Sequence, residues 1–227
     1  MYRIGVDVGG TNTDAVIMQG DQILAGVKSP TTEDVMNGVV DSVEGALKEA
    51  GADKTQVTAV MIGTTHFTNA VVERKHLAQT AAVRLCLPAA KCLPPMVDWP
   101  NDIRQAVGNH YWMAKGGYEF DGREISSLDM NELDGIAAEI SNLGIDTVAI
   151  TSVFSPLSDE MERKAMERMV KTLPNVNFTL SSEIGRLGIL ERENAAIMNA
   201  SLRTLSKRTV GALGRALEKV GLTCPYY

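Results

Sequence analysis

Short apolar runs split by turn residues dominate the first quarter of the chain. Ile4 to Val8 closes on Gly9-Gly10, and Ala15 to Met18 and Ile23 to Val27 follow, divided by Gln19-Gly20-Asp21. Runs of this length read as strands, and strands this close in sequence pair as antiparallel hairpins. After Pro30 the apolar spacing becomes helical. Val35, Met36, Val39, Val40, Val43 and Leu47 share one face of a helix that starts near Thr32 or Glu33 and stops at Gly51. Val57 to Ile62 is then a fully apolar strand of the central type. The chain therefore opens β-β-β-α-β.

The pattern predicts a short helix over Thr68 to Lys75 and a strand over Ala81 to Leu87. From Pro88 to Ser127 the texture changes: four prolines and few helical periods mark an excursion with its own small sheet or loops. The α/β rhythm then returns. A helix carries Leu133, Ile136, Ala137 and Ile140 and ends at Gly144. Thr147 to Phe154 is a second central strand, Ser158 opens a helix running from Glu160 to Leu173, and Val176 to Leu180 is a strand. From Leu190 to Val220 the spacing predicts one long helix, stopped near Gly221 and Pro225. Tyr226-Tyr227 reads as the start of a new strand, and the chain looks cut there.

Composition narrows the class. The 227 residues are 44% hydrophobic and 22% charged, enough to build a core without staples. A net charge of -6 argues against a nucleic-acid partner. Cys86, Cys92 and Cys224 form no C-x-x-C pair, so neither a disulfide framework nor a structural zinc site is expected, and a cytoplasmic setting is. The start does not read as a signal peptide, and no apolar run is long enough to span a membrane. The 11 methionines read as core filler.

The chemistry concentrates in Ile4 to Asp14. An acid ends a buried strand, two glycines follow, then Thr11, Asn12 and Thr13. Glycines let backbone approach a ligand and take positive φ. The amides of Gly9 and Gly10, with the hydroxyls of Thr11 and Thr13, suit phosphoryl oxygens. Asp7 suits a hydrated Mg²⁺ or a positioned water. No lysine or arginine lies between Ile4 and Val27, so amides and a metal would neutralise the phosphate. A plain hairpin turn is the simpler alternative. The loop lacks the P-loop pattern, and it leads into a strand, unlike a dinucleotide-binding turn.

Gly63-Thr64-Thr65 follows the central-type strand Val57 to Ile62, and strand C-termini are where α/β sheets bind ligands. Thr64, Thr65 and His66 are candidate catalytic groups and Asn69 a candidate substrate amide; capping of the next helix explains the threonines equally well. Glu191 and Glu193 suit a helix N-terminus. His66, His76 and His110 are too dispersed for a zinc-type cyclic amidohydrolase. No cysteine has a placed base, so no cysteine nucleophile is expected.

Three stretches, Arg3 to Asp14, Gly63 to Lys75 and Ser182 to Leu202, resemble the N-terminal half of the hydantoinase A/5-oxoprolinase family, within the actin, sugar-kinase and Hsp70 superfamily. Members usually carry Phe where Asn12 stands. The resemblance implies a ribonuclease H-like (actin-like ATPase) α/β fold: a mixed sheet flanked by helices. Residues 1–87 and 128–227 would form the ATPase N-terminal domain, with 88–127 inserted as an α+β excursion. A second half, with another phosphate loop and the adenosine site, would follow Tyr227. ATP and Mg²⁺ are the implied cofactors, with Asp7 as metal ligand and Gly9, Gly10, Thr11, Asn12 and Thr13 as phosphate ligands. Arg192 is implied to lie near a cleft and meet an anionic group. The implied reaction is phosphoryl activation of a cyclic amide, hydantoin or 5-oxoproline-like, for attack by water. The expected partners are a hydantoinase B-type subunit and further copies of the chain. A sugar-kinase-like phosphotransferase, an ATP-dependent ketone carboxylase subunit and a non-catalytic nucleotide-binding subunit are the alternatives.

Overall fold

The computed structural model describes residues 1–30 and 35–227, with backbone alone at Val35. In chain order the elements are β1 (Tyr2–Val8), β2 (Asn12–Gln19), β3 (Gln22–Pro30), α1 (Val35–Glu49), β4 (Val57–Thr64), α2 (His66–Glu73) and β5 (Thr80–Leu87). They continue with α3 (Asn101–Val107), β6 (His110–Lys115), α4 (Met130–Asn142), β7 (Thr147–Ser152), α5 (Glu160–Met169), β8 (Asn177–Leu180), α6 (Ile189–Ser201) and α7 (Arg203–Val220). The expected helix start near Thr32 or Glu33 lies outside the described residues.

The chain divides into two compact units, Met1–Glu73 with Leu205–Tyr227, and Arg74–Thr204. In the first, the strand order is β3-β2-β1-β4. β1–β2 and β2–β3 are antiparallel, whereas β1–β4 is parallel. A hairpin turn suffices for an antiparallel pair, but a parallel return needs a crossover, which α1 supplies. Alternation along the strands sets the layers. Ile4, Val6, Val8, Ala15 and Ile17 face the helices and are buried against α1 and α7. Full burial of each such aliphatic chain contributes roughly 1.5–3 kcal/mol. Arg3, Gly5 and Asp7 point to the opposite face. The tyrosine pair lies along the outer edge of β4: Val60 N–H donates to Pro225 O at 3.1 Å, and Tyr227 N–H to Val60 O at 2.9 Å.

The second unit is built on a wholly parallel sheet, order β6-β5-β7-β8. Such sheets are covered on both faces. Ala81, Val83 and Leu85 of β5 pack with α4 and α5, while Ala82 packs with α3 and α6. Residues 88–127 do contain a helix and a strand, α3 and β6. The strand forms no sheet of its own; it pairs with β5 from Ala81↔His110 to Leu87↔Lys115.

The long helix expected from Leu190 to Val220 is two helices. α6 ends at Ser201, where the Ser201 carbonyl accepts from Ala78 N–H at 2.8 Å and its hydroxyl turns back to Met198 O, also 2.8 Å. Apolar spacing alone does not register a carbonyl taken by a distant amide.

Candidate functional site

The glycine turn connects β1 to β2 at the C-terminal ends of the parallel pair β1 and β4. Gly9 N–H donates across the turn to Asn12 O at 3.0 Å, so this amide closes the turn and does not face a ligand. A Cβ on Gly9 would stand 3.0 Å from that same carbonyl. Glycine is needed there for close approach, and neither Gly9 nor Gly10 takes a positive φ, which corrects the expected reason for the pair. Among the described residues, the amides of Gly10 and Thr11 donate to no backbone carbonyl. They are the turn's available donors. The Asn69 side-chain amide, from α2, lies 3.7 Å from where a Cβ on Gly10 would be.

Thr11 is exposed and Asn12 half-buried, whereas Thr13 is fully buried on the helix-facing side. The pleat therefore withdraws Thr13 from any ligand over the turn, contrary to its expected phosphate role.

Asp7 is exposed and lines an open cavity of about 420 Å³ on the uncovered sheet face, with Gly5, Asp14, Met61, Gly63 and Tyr227 among its walls. Gly63 stands directly beside Asp7 on the same face, since the parallel register pairs the two. Among the described residues no group of three His, Cys, Asp or Glu side chains is placed to hold a metal. Asp7 and Asp14 are the two carboxylates that line the cavity.

Thr64 and His66 form a second cluster. Thr64 Oγ1 lies 3.1 Å from Val8 O, 2.7 Å from His66 Nδ1 and 3.1 Å from His66 N. All three contacts are satisfied if the hydroxyl donates to Val8 O and accepts from His66 Nδ1 and from the His66 backbone N–H. That assignment puts a proton on Nδ1, so that in the neutral ring Nε2 is the acceptor. Strand alternation turns Thr64 away from the face that carries Asp7, so the two clusters sit on opposite sides of the sheet. Thr65 is exposed, and its carbonyl accepts the α2 hydrogen bond from Asn69 N–H at 2.8 Å.

Arg192, in the second unit, is 1% exposed and does not offer its charge to a ligand. Nε donates to Ser181 Oγ at 3.0 Å, Nη2 to Ser152 O at 2.8 Å, and Nη1 to the carbonyls of Arg186 and Leu187 at 2.7 and 2.9 Å. Burial pushes its pKa down, with Glu162 and Glu193 opposing. Beside it, Glu162 is fully buried and accepts from Ser152 N, Ser181 Oγ, Ser182 N and Ser182 Oγ at 2.6–3.0 Å. Glu193 does more than favour a helix dipole: buried, it pairs with Arg84 of β5, 109 residues away, with Nε to Oε1 at 2.8 Å. Arg84 also donates to Leu93 O. Burial raises the neighbouring Cys86 thiol to about 11, against the pull of Arg84. The third motif thus builds the interior of this unit.

Sequence reasoning gave Asp14 and Gly63 no role of their own beside Asp7 and missed Lys28 altogether. Asp14 sits directly across from Asp7, and Lys28 directly across from Asp14. The Gly9–Asn12 turn sets the first pairing, and a β-bulge between Ile17 and Met18, which shifts the register left by the Gly20-Asp21 turn by one residue, sets the second.

A mixed β3-β2-β1-β4 sheet with a helical crossover, carrying an acid and a glycine turn at the ends of its parallel strands, belongs to the actin-like ATPase class of α/β proteins. Residues 3–173 match the hydantoinase/oxoprolinase N-terminal region, and the chain belongs to that family. It is 25% identical over 242 residues to an uncharacterized protein of Methanocaldococcus jannaschii, covering 100% of this chain and 35% of that one. It is 22% identical over 246 residues to the caprolactamase subunit alpha of Pseudomonas jessenii, covering 99% and 34%. Its fold matches an ATP-dependent caprolactamase from Pseudomonas jessenii (TM-score 0.78, 20% identity, 99% of this chain, 35% of that one). It also matches a nucleotide-free acetone carboxylase (TM-score 0.78, 17% identity, 96% and 34%). The chain spans about a third of the length of these relatives.

Proposed function

We propose that the chain is the N-terminal, phosphate-binding portion of an ATP-dependent enzyme that acts on a cyclic amide, hydantoin or 5-oxoproline-like. The observation that carries this is the Gly9–Asn12 turn: two amides without a backbone acceptor, beside an exposed carboxylate, at the ends of parallel strands. Family membership and two relatives whose names describe ATP-dependent amide and ketone chemistry support the same reading. Bound ATP would supply the phosphoryl group that makes an amide carbonyl open to water.

Each residue then has a role in the proposal. Gly10 and Thr11 amides donate to phosphate oxygens, with the Thr11 hydroxyl and the Asn12 and Asn69 side-chain amides at the rim. Asp7 holds hydrated Mg²⁺ and orients the phosphates. The Thr64–His66 pair takes a proton on the substrate side through Nε2 of the neutral ring, and Thr65 lies beside it. A partner resembling a hydantoinase B subunit is expected, as the designation of the caprolactamase chain as subunit alpha suggests. Self-association into a homo-oligomer accompanies it. Among the described residues no helix is long and apolar enough to cross a membrane.

Calorimetric titration with MgATP, with and without the partner subunit, tests the reading. The 227 residues alone are expected to bind MgATP weakly and turn over none. Asp7→Ala is expected to abolish that binding with its circular dichroism unchanged. ATP turnover by the full-length protein that ignores hydantoins, 5-oxoproline and related carbonyl compounds would refute the amide assignment.

A further inference from the structure

The uncovered face of the first sheet carries a row of charges that the glycine turn does not account for. Asp7 of β1, Asp14 of β2 and Lys28 of β3 stand abreast, because the registers pair Asp7 with Asp14 and Asp14 with Lys28. Cross-strand partners project from the same side of a sheet. All three therefore project beside the cavity that Asp7 and Asp14 line. Lys28 Nζ lies 3.1 Å from Asp14 Oδ1, and the two side chains are 64% and 42% exposed. Arg3 shares this face but is turned to the far end of the sheet, where it donates to Gly20 O at 3.0 Å.

We infer that Lys28 is the side-chain cation of this phosphate site, held by Asp14 and transferred to the polyphosphate when it binds beside Asp7. The inference rests on the phosphate-site reading given above. Two carboxylates face one lysine here, so an arriving polyphosphate adds negative charge to an already acidic row. Lys28 is the one positive charge in that row. Its present pairing does not resist the transfer: an exposed ion pair in water is nearly balanced by hydration and side-chain freedom. A phosphate offers more charge and several acceptor oxygens. An ammonium is a point charge on a flexible stem and can change partners without a strict geometric demand. Asp14 keeps the ammonium on the strand next to Asp7 meanwhile, which makes it a positioning residue.

The test titrates the whole 227-residue chain with MgATP and, separately, with magnesium tripolyphosphate, which lacks the nucleoside. Binding is followed by calorimetry. Lys28→Met is expected to weaken both ligands about tenfold, the order of one charge-assisted contact. Lys28→Arg is expected to recover most of that loss. Asp14→Asn frees the ammonium and is expected to leave binding equal or up to about fivefold tighter. Acylation of Lys28 by an amine reagent is expected to slow when MgATP is present. Wild-type affinity in Lys28→Met overturns the inference. So does equal loss in Asp14→Asn, because Asp14 would then be a metal or phosphate ligand itself. Asp7→Asn separates the two levels: loss there with wild-type behaviour in Lys28→Met defeats only the role of Lys28. Retained binding in Asp7→Asn, or none in the folded wild type, defeats the phosphate site and the lysine with it.

Discussion

Replacing Glu193 by leucine gives the sharpest test of how the second unit is held together. Arg84 and Glu193 are 0% and 1% exposed and meet through two parallel hydrogen bonds, one of them Nε to Oε1 at 2.8 Å. In Glu193→Leu the guanidinium keeps its charge in a buried site with Leu93 O as its remaining acceptor. Leaving one member of a buried pair uncompensated costs about 3–5 kcal/mol. For a unit of this size that corresponds to a fall in Tm on the order of 10–20 °C. Arg84→Met should cost a similar amount, because the stranded carboxylate is equally desolvated. The double variant Arg84→Met/Glu193→Leu should recover most of the loss, since two apolar chains of similar volume need no counter-charge. Urea unfolding followed by tryptophan fluorescence reads this unit alone, as Trp99 and Trp112 both lie in Arg74–Thr204. The reasoning fails if Glu193→Leu costs under about 1 kcal/mol, the value of an exposed pair. It fails equally if the double variant is no more stable than the weaker single.

Two further outcomes follow from the same structure. Cys92 is exposed and Cys86 buried with its thiol raised to about 11, so at pH 8 a thiol reagent should modify Cys92 rapidly and Cys86 only after denaturation; fast native-state labelling of both would contradict the packing. Asp129 and Asp134 have lowered pKa values, the first chiefly through the Glu132 amide it caps, the second through Arg168. A depressed carboxylate contributes stability that is complete above its unfolded pKa and lost as pH falls through the folded one. Stability should therefore be flat above the ordinary carboxylate range and fall below it, with a shallower fall in Asp129→Asn and Asp134→Asn than in wild type.

Much of this architecture was legible along the chain. The apolar runs at Ile4 to Val8 and Val57 to Ile62, and the helical face from Met36 to Leu47, are local patterns set by backbone periodicity within a few residues. The acid–glycine–threonine order of the turn was equally local. The role of each glycine turn residue was not: whether Gly9 uses its amide internally depends on where Asn12 O lies. The family resemblance implied that Arg192 meets an anionic group, and its place in a helix's first turn offered no local explanation instead. Its explanation is Ser152 and Ser181, brought to it by two strand ends.

The amino-acid sequence by itself determined most element types, the acid–glycine turn after the first strand and the family. Tertiary structure decided which side chains share a face or an interior. Register carries Lys28 to Asp14 and Asp14 to Asp7, and chain closure over 109 residues carries Arg84 to Glu193. Periodicity is a property of neighbouring residues, whereas these pairings depend on how distant segments pack. The burial of Arg192 and Thr13, and the openness of the face beside Asp7, belong to that packing.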